Sequence, residues 1–196
     1  MGGAERERVV LASANPKKVS ELLEILGDRF DVVARPAWVP DVVEDADSFE
    51  GNARLKAVAL VQATGLAALA DDSGLVVDAL DGAPGIRSAR YAGEDATDEQ
   101  NVVALLDALG DVEDRSARFV CVIVLLRPDG SELVAEGSIA GSIALEPRGS
   151  NGFGYDPVFV PDGTGTTFAE MDQVSKHTIS HRGRALASLH ASMATA

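Results

Sequence analysis

The sequence predicts a mixed α/β fold with a partly antiparallel sheet. Two observations carry that prediction. Apolar patterns of strand and helix period alternate early in the chain, and a β-hairpin follows late, around Pro128-Asp129-Gly130. A purely doubly wound fold has no place for that hairpin. No internal repeat, low-complexity tract or linker interrupts the chain, so residues 1–196 read as one domain with residues 1–8 as a short tail.

The elements can be justified in order. Val9 to Ala12 is an apolar run ending in Ser13-Ala14-Asn15-Pro16. A helical pattern follows, with Val19, Leu22, Leu23 and Leu26 at i, i+3, i+4, i+7 and Gly27 as its stop. Asn15 suits the N-cap and Pro16 the first helical position. Asp31 to Val33 reads as a short strand and Pro36 to Asp47 as an acidic loop. The second helix runs from Phe49 to Thr64 and closes at Gly65. Asp47 or Ser48 caps it, and Asp47 with Glu50 has capping-box spacing. Leu66 to Ala70 is a short buried strand leading into Asp71-Asp72-Ser73-Gly74, and Leu75 to Leu80 resumes as a strand.

Asp81 to Glu94, rich in Gly, Pro and Arg, reads as a loop. Thr97 with Gln100 makes a capping box for a third helix ending at Gly110. Ala117 to Leu126 is the strongest strand signal, and Glu132 to Ala144 is its hairpin partner, loosened by Gly137 and Gly141. Gly149 to Asp156 is a glycine-rich loop. The last helix starts near Ser180 and reaches Met193, with Leu186 and Leu189 on one face.

Composition narrows the function. With 46% apolar and 24% charged residues over 196 positions, the chain can bury a real core, which excludes disorder. Cys121 is the only cysteine, so no disulfide scaffold exists. The longest apolar run, Phe119 to Leu126, is far short of the about 20 residues a membrane span needs. Met1 to Arg8 is a short charged lead-in without the apolar stretch of a secretory signal. These features point to a soluble, cytoplasmic protein. The net charge of −14 disfavours nucleic-acid polymers and anionic membranes. A small anionic ligand stays compatible if cations gather locally or a metal mediates. Thirteen Arg stand against only four Lys (Lys17, Lys18, Lys56 and Lys176), which makes the lysine positions informative.

Four constellations can carry chemistry. Ser13-Ala14-Asn15-Pro16-Lys17-Lys18 joins a strand to a helix, where backbone N–H groups and the positive dipole end suit a phosphate. A capped helix with two solvated lysines explains the same residues, and the Walker A pattern is absent. Asp71 and Asp72 follow an apolar strand, and adjacent carboxylates of this kind suit a hard cation such as Mg²⁺, with Glu44 as a further ligand. Standing alone, Asp-Asp-Ser-Gly reads more readily as a tight turn with side chains bonded to backbone. Gly152-Phe153-Gly154-Tyr155-Asp156 lets backbone approach a ligand closely and offers Phe153 or Tyr155 for stacking on a flat ring. Its plain alternative is a hairpin loop. Lys176 with Ser180-His181-Arg182-Gly183 gathers donors at a helix start, or forms an ordinary basic turn. Taken together, a hard-metal site, phosphate donors and an aromatic platform describe Mg²⁺-dependent phosphate chemistry on a nucleotide.

The same residues resemble a known family. Ser13-x-Asn15-x-x-Lys18, Glu44, Ser48-Phe49-x-x-Asn52-Ala53-x-x-Lys56-Ala57, and Asp71-Asp72-Ser73-Gly74-Leu75 match the inosine triphosphate pyrophosphatases. So do Gly82-Ala83-Pro84-Gly85-Ile86-x-Ser88-Ala89-Arg90-Tyr91, Gly152-Phe153-Gly154-Tyr155-Asp156-Pro157 and Ile179-Ser180-His181-Arg182-Gly183. Ser13 stands where many members carry Thr, which keeps the hydroxyl. The resemblance implies an elongated two-lobed α/β fold, with a long curved mixed β-sheet flanked by helices and the active site in a cleft between the lobes. It implies a homodimer that hydrolyses ITP, dITP and XTP to the monophosphate and pyrophosphate with Mg²⁺, removing deaminated purines from the nucleotide pool.

Residue by residue, the resemblance makes Asp72 the metal ligand and proton acceptor, Glu44 the second ligand and Asp71 a support. Ser13, Ala14, Asn15, Pro16, Lys17, Lys18 and Lys56 would hold the triphosphate. Ser73, Phe153, Gly154, Tyr155, Asp156, Lys176, His181 and Arg182 would form the base pocket, with His181 and Arg182 donating to the 6-keto oxygen. The Gly82 to Gly93 stretch matches the family with two roles open to it, ordering the metal loop or contributing to the dimer. Two rival readings stand beside this one: an enzyme for other non-canonical or methylated nucleoside triphosphates, and a non-catalytic nucleotide-binding module.

Overall fold

The computed structural model describes residues 6–13, 15–26 and 29–194. Strand and helix alternate as β1 (Glu7–Leu11), α1 (Pro16–Leu26), β2 (Phe30–Val33), α2 (Phe49–Thr64) and β3 (Ala67–Val77). Then come α3 (Asp98–Leu109), β4 (Ser116–Leu126), β5 (Glu132–Ile143), β6 (Phe159–Pro161), α4 (Gln173–Ile179) and α5 (His181–Met193). The strands form one sheet in the order β2-β1-β3-β4-β5-β6. β1 is parallel to both its neighbours, with Val9 opposite Val32 and Ala67. The crossovers α1 and α2 supply the connections that parallel pairing requires. β5 and β6 are antiparallel. The β4–β5 hairpin is closed by Arg127 N–H donating to the Ser131 carbonyl at one end, and Ile143 N–H to the Arg115 carbonyl at the other. The mixed, partly antiparallel sheet is therefore the one expected. No helix among the described residues is long and apolar enough to cross a membrane.

The chain divides into two compact units. The first comprises residues 1–72, 122–136 and 185–196, and the second residues 73–121 and 137–184. In the first, Ala53, Ala57 and Leu60 form a stripe at i, i+4, i+7 of α2 and pack with Val10, Ala12, Ala68 and Ala70. Alanines on both sides let the helix lie close to the sheet, which brings short side chains on the next α2 face into reach of β3. In the second unit Leu75, Val77, Val102, Leu105 and Leu109 surround an aromatic group. There the Phe119 ring meets Phe159 edge-on at 4.7 Å, and Phe159 lies 5.2 Å from Phe168.

Several expectations are corrected. Asp71-Asp72-Ser73-Gly74 is no turn and marks no strand end: it lies inside the eleven-residue β3, nearly all of it buried. β1 flanks β3 only as far as Leu69, and the chain stays extended beyond it, where Leu75 N–H donates to Ser88 Oγ at 2.8 Å and Val76 forms a bridge with Pro84. β3 stops at Val77, and Asp78–Leu80 is a single 3₁₀ turn. β1 starts at Glu7, so Glu7 and Arg8 belong to the sheet. Ser48, not Asp47, caps α2, its hydroxyl accepting from Gly51 N–H at 3.1 Å. On α1, Leu22 and Leu26 are buried with Glu21, while Leu23 is 43% exposed. The expected stop at Gly27 lies outside the described residues. Both Thr97 capping-box bonds and the close of α3 at Gly110 are as expected.

The last helix begins as expected just after Ser180 and runs to Met193, and a short helix that the sequence reading did not place, α4, precedes it. The two break at Ser180, whose backbone is extended and whose hydroxyl accepts from Gly183 N–H at 3.1 Å. A Cβ on Gly183 would stand 2.2 Å from the His177 carbonyl oxygen, so only glycine permits this approach of α5 to α4. The break sets His181 and Arg182 at the first turn of α5.

Candidate active site

In the first unit, the turn after β1 folds on Asn15. Its Oδ1 accepts from Lys17 N–H at 2.9 Å and Lys18 N–H at 3.3 Å, and its own N–H donates to Ser13 Oγ. Asn15 is thus the N-cap and Pro16 opens the helix, as the sequence implies. Two of the helix N–H groups, those of Lys17 and Lys18, are thus met by Asn15 Oδ1 within the turn. Ala14 lies outside the described residues. Lys17 and Pro16 are exposed, whereas Lys18 reaches inward and places Nζ 3.8 Å from Asp71 Oδ2. A cavity of about 690 Å³ beside this turn holds Ser13 and Pro16 among mostly apolar walls, and none of the candidate carboxylates lines it.

Consecutive strand residues leave opposite faces of a sheet. Asp71 accordingly meets Lys18 of the α1 region, and Asp72 meets α2. Asn52 Nδ2 donates to Asp72 Oδ2 at 3.2 Å, and Lys56 Nζ lies 3.4 Å from Asp72 Oδ1. The same ammonium lies 3.3 Å from Glu44 Oε1, so Glu44 and Asp72 share one cation. Burial pushes the Asp72 carboxyl above its ordinary pKa; the charges of Lys56 and Lys18 oppose that rise, and Glu44 adds to it. Burial by itself would lower Lys56, but Asp72, Asp71 and Glu44 outweigh it and hold the ammonium above its ordinary pKa.

Among the described residues no three His, Cys, Asp or Glu side chains converge as a ready-made metal cage. Mg²⁺ does not ask for one, because it is bound by one or two carboxylates together with water and substrate phosphates. Glu44 and Asp72, already gathered around one positive charge, fit that description. Asp71, turned to the other face, does not join them.

In the second unit, Lys176 Nζ donates to Asp156 Oδ2 at 2.8 Å, with both side chains buried. Asp156 Oδ2 also accepts from Phe153 N–H at 2.8 Å, which ties the glycine-rich turn to the ion pair. A Cβ at Gly152 would stand 2.0 Å from that oxygen, at a φ of +77° that side chains avoid. The Phe153 ring is flanked by two cations, with Lys176 Nζ 5.3 Å and Arg182 Cζ 5.1 Å from its centroid. Arg182 Nη2 donates to Ser73 Oγ at 2.9 Å. Half-buried Gly154 follows Phe153 in the same turn. His181 is stacked flat on Phe119, centroids 4.7 Å apart.

Tyr155 does not offer itself for stacking. Its ring lies in the core and its hydroxyl donates to the Ser88 carbonyl at 2.9 Å. Burial holds that phenol well above its ordinary pKa, so it remains a donor. The Gly82 to Gly93 stretch also gains a physical role. It contains a 3₁₀ helix, Gly85–Arg90, and Ser88 Oγ accepts from Leu75 N–H at 2.8 Å while donating to the Gly85 carbonyl. Asn101 of α3 clasps the same stretch, accepting from Ala92 N–H and donating to the Ala89 carbonyl. Ser88, Asn101 and Asn52 are the polar residues whose roles the sequence reading missed. Asn52 was detectable, since it stands four residues before Lys56 on one helix face.

Known proteins resemble this chain along almost its whole length. The model of the Ham1 family matches residues 9–192. The dITP/XTP pyrophosphatase of Shigella flexneri is 52% identical over 186 residues, covering 92% of this chain and 94% of that one. That of Streptomyces coelicolor is 47% identical over 189 residues, covering 93% and 94%. Among solved structures, a HAM1 protein from Coxiella burnetii superposes with a TM-score of 0.87 at 45% identity, covering 97% of this chain and all of that one. The ordered motifs, the sheet and a match spanning almost every described residue agree: this chain belongs to the Ham1 family.

Proposed function

We propose that this chain hydrolyses non-canonical purine nucleoside triphosphates (ITP, dITP and XTP) to the nucleoside monophosphate and pyrophosphate, with Mg²⁺ as cofactor. Its role is to clear deaminated purines from the cytoplasmic nucleotide pool, acting as a homodimer. The relatives named dITP/XTP pyrophosphatase support the reaction and the substrate class. The observation that carries the mechanism is the single Lys56 ammonium held between the Glu44 and Asp72 carboxylates.

Glu44, Asp71 and Asp72 face Lys18 and Lys56, three carboxylates against two ammonium groups by formal charge, which leaves one negative charge in excess. Glu44 and Asp72 would hold the metal, which when bound supplies charge neutralisation and polarisation of phosphate oxygens. Asp72 takes the proton of the attacking water: burial makes it a stronger base than an ordinary aspartate, and the charges of Lys56 and Lys18 oppose that rise. Lys18 and Lys56, with Ser13, Asn15 and the rest of the Ala14 to Lys17 turn, bind the triphosphate and stabilise charge developing on it. The work is positional and electrostatic, as phosphate chemistry requires.

The second-unit cluster selects the base. Arg182, aimed by Ser73 and lying against Phe153, presents only N–H donors. Hypoxanthine and xanthine offer a 6-keto acceptor to such a group, whereas adenine offers an amino donor. A site built for one polar contact rejects the wrong partner by about 10⁴ or more.

A substrate panel tests this reading. kcat/KM for ITP, dITP and XTP in Mg²⁺ should exceed that for ATP by about 10⁴, and a chelator should abolish turnover. Comparable turnover of ATP, or turnover indifferent to chelation, contradicts it. ITP binding without turnover would make the chain a nucleotide sensor.

A further inference from the structure

We propose that Asn52 is a positioning residue that fixes the reactive orientation of Asp72 and locks it to the loop carrying Glu44; this rests on the role given to Asp72 under Proposed function. The Asn52 side chain is fully buried and uses both ends of its amide. Its Oδ1 accepts from the backbone N–H of Ala46 at 3.0 Å, and its Nδ2 donates to Asp72 Oδ2 at 3.2 Å. Ala46 lies two residues after Glu44 on the acidic loop. One side chain therefore ties the loop that bears one carboxylate to the strand that bears the other.

The geometry of α2 gives the tie a direction. Asn52 and Lys56 stand at i and i+4 on one face, and they meet the two different oxygens of the same carboxylate. With Oδ2 held by the Asn52 amide and Oδ1 near the Lys56 ammonium, the Asp72 carboxylate cannot rotate without losing a partner. Only a side chain that both donates and accepts satisfies Ala46 and Asp72 together at a site closed to water. Aspartate at position 52 keeps the size and the acceptor for Ala46 but sets a carboxylate against Asp72.

That difference makes Asn52→Asp the informative variant, because a residue that merely anchors the loop would be replaced by aspartate without loss. We expect N52D to lower kcat for ITP by at least about tenfold, as loss of a hydrogen bond to a charged group implies, with KM changed less than about threefold. N52A, which removes both bonds, should lower kcat as well and serves if N52D does not fold. Thermal melts give a readout independent of turnover. N52D should lower Tm, and adding Asp72→Asn should restore part of that loss by inverting donor and acceptor.

A kcat within about twofold of wild type in both N52D and N52A overturns the proposal. So does a loss confined to KM, or a Tm loss in N52D that D72N leaves untouched. If wild-type protein itself releases no pyrophosphate from ITP, the reading of the active site fails and the catalytic role of Asn52 with it. The melts would still report whether the two side chains pair.

Discussion

Replacing Lys176 by methionine should cost this protein a large part of its stability. Lys176 Nζ lies 2.8 Å from Asp156 Oδ2, with the two side chains only 6% and 4% exposed. Methionine preserves most of the stem's packing but removes the ammonium, leaving the Asp156 carboxylate buried without its cation. Breaking a buried pair from one side costs about 3–5 kcal/mol. Whole domains have about 5–15 kcal/mol to lose. At roughly 2–4 °C per kcal/mol for a chain of this size, the melting temperature should fall by roughly 6–20 °C. Urea denaturation with an unchanged m-value, together with calorimetry, measures both quantities. Because Asp156 also holds Phe153 N–H, KM for ITP should rise. Adding Asp156→Asn should recover most of the stability, since an amide still accepts from Phe153 and carries no charge. A loss below about 1 kcal/mol, typical of a solvated surface pair, would refute the reasoning. So would a double variant no more stable than the single one.

Other outcomes follow from the same geometry. Asp72→Asn should abolish most ITP turnover, and Lys18→Ala should lower kcat roughly 10²–10³-fold, the loss typical of one oriented electrostatic group; steady-state kinetics on both variants checks the order. Arg182→Ala should lose either ITP affinity or the discrimination against ATP, read as the ratio of the two kcat/KM values; a variant unchanged in both removes Arg182 from base selection. Glu132→Gln tests a structural pair. Arg54 grips Glu132 through Nε at 2.9 Å and Nη2 at 2.7 Å, and these hydrogen bonds hold the carboxyl below its ordinary pKa. A carboxyl lowered on folding stabilises above its unfolded pKa of about 4.3 and loses that contribution as pH falls through the folded value. Wild type should therefore exceed E132Q by up to about 1 kcal/mol at neutral pH, with the difference closing in acid urea melts.

Much of the fold was legible because local signals coincide with the tertiary outcome. α2 ends at Gly65 and α3 starts at the Thr97–Gln100 box, since capping chemistry is written within four residues. The errors arose where long-range pairing decides. Asp71 to Gly74 has turn composition, yet it lies inside β3, whose place between β1 and β4 is set by pairing with distant parts of the chain. The helix start near Ser180 was legible, whereas the short α4 ahead of it, Gln173–Ile179, was missed, since seven residues give too little apolar periodicity to mark a helix.

The candidate site divides the same way. Residue types could be read from the sequence, and the grouping of lysines with carboxylates came from taking the constellations together and from the family resemblance; the facing of side chains could not be read. Alternation along β3 sends Asp71 to Lys18 and Asp72 to Lys56, separating two residues that look equivalent in the sequence. Tyr155 sits beside Asp156 in a motif that suggests stacking, yet its hydroxyl is committed to Ser88 in the core. Asn52 stands in the helical motif with Lys56, but its role comes only from the two hydrogen bonds that connect the acidic loop to β3.

The central claim is that the Glu44, Asp72 and Lys56 cluster serves cleavage of a triphosphate to monophosphate and pyrophosphate. Following pyrophosphate and orthophosphate together as the protein turns over ITP in Mg²⁺ tests it most directly. The account predicts one pyrophosphate for each IMP formed and no orthophosphate. Orthophosphate appearing with IDP would mean attack at the terminal phosphate and would contradict it.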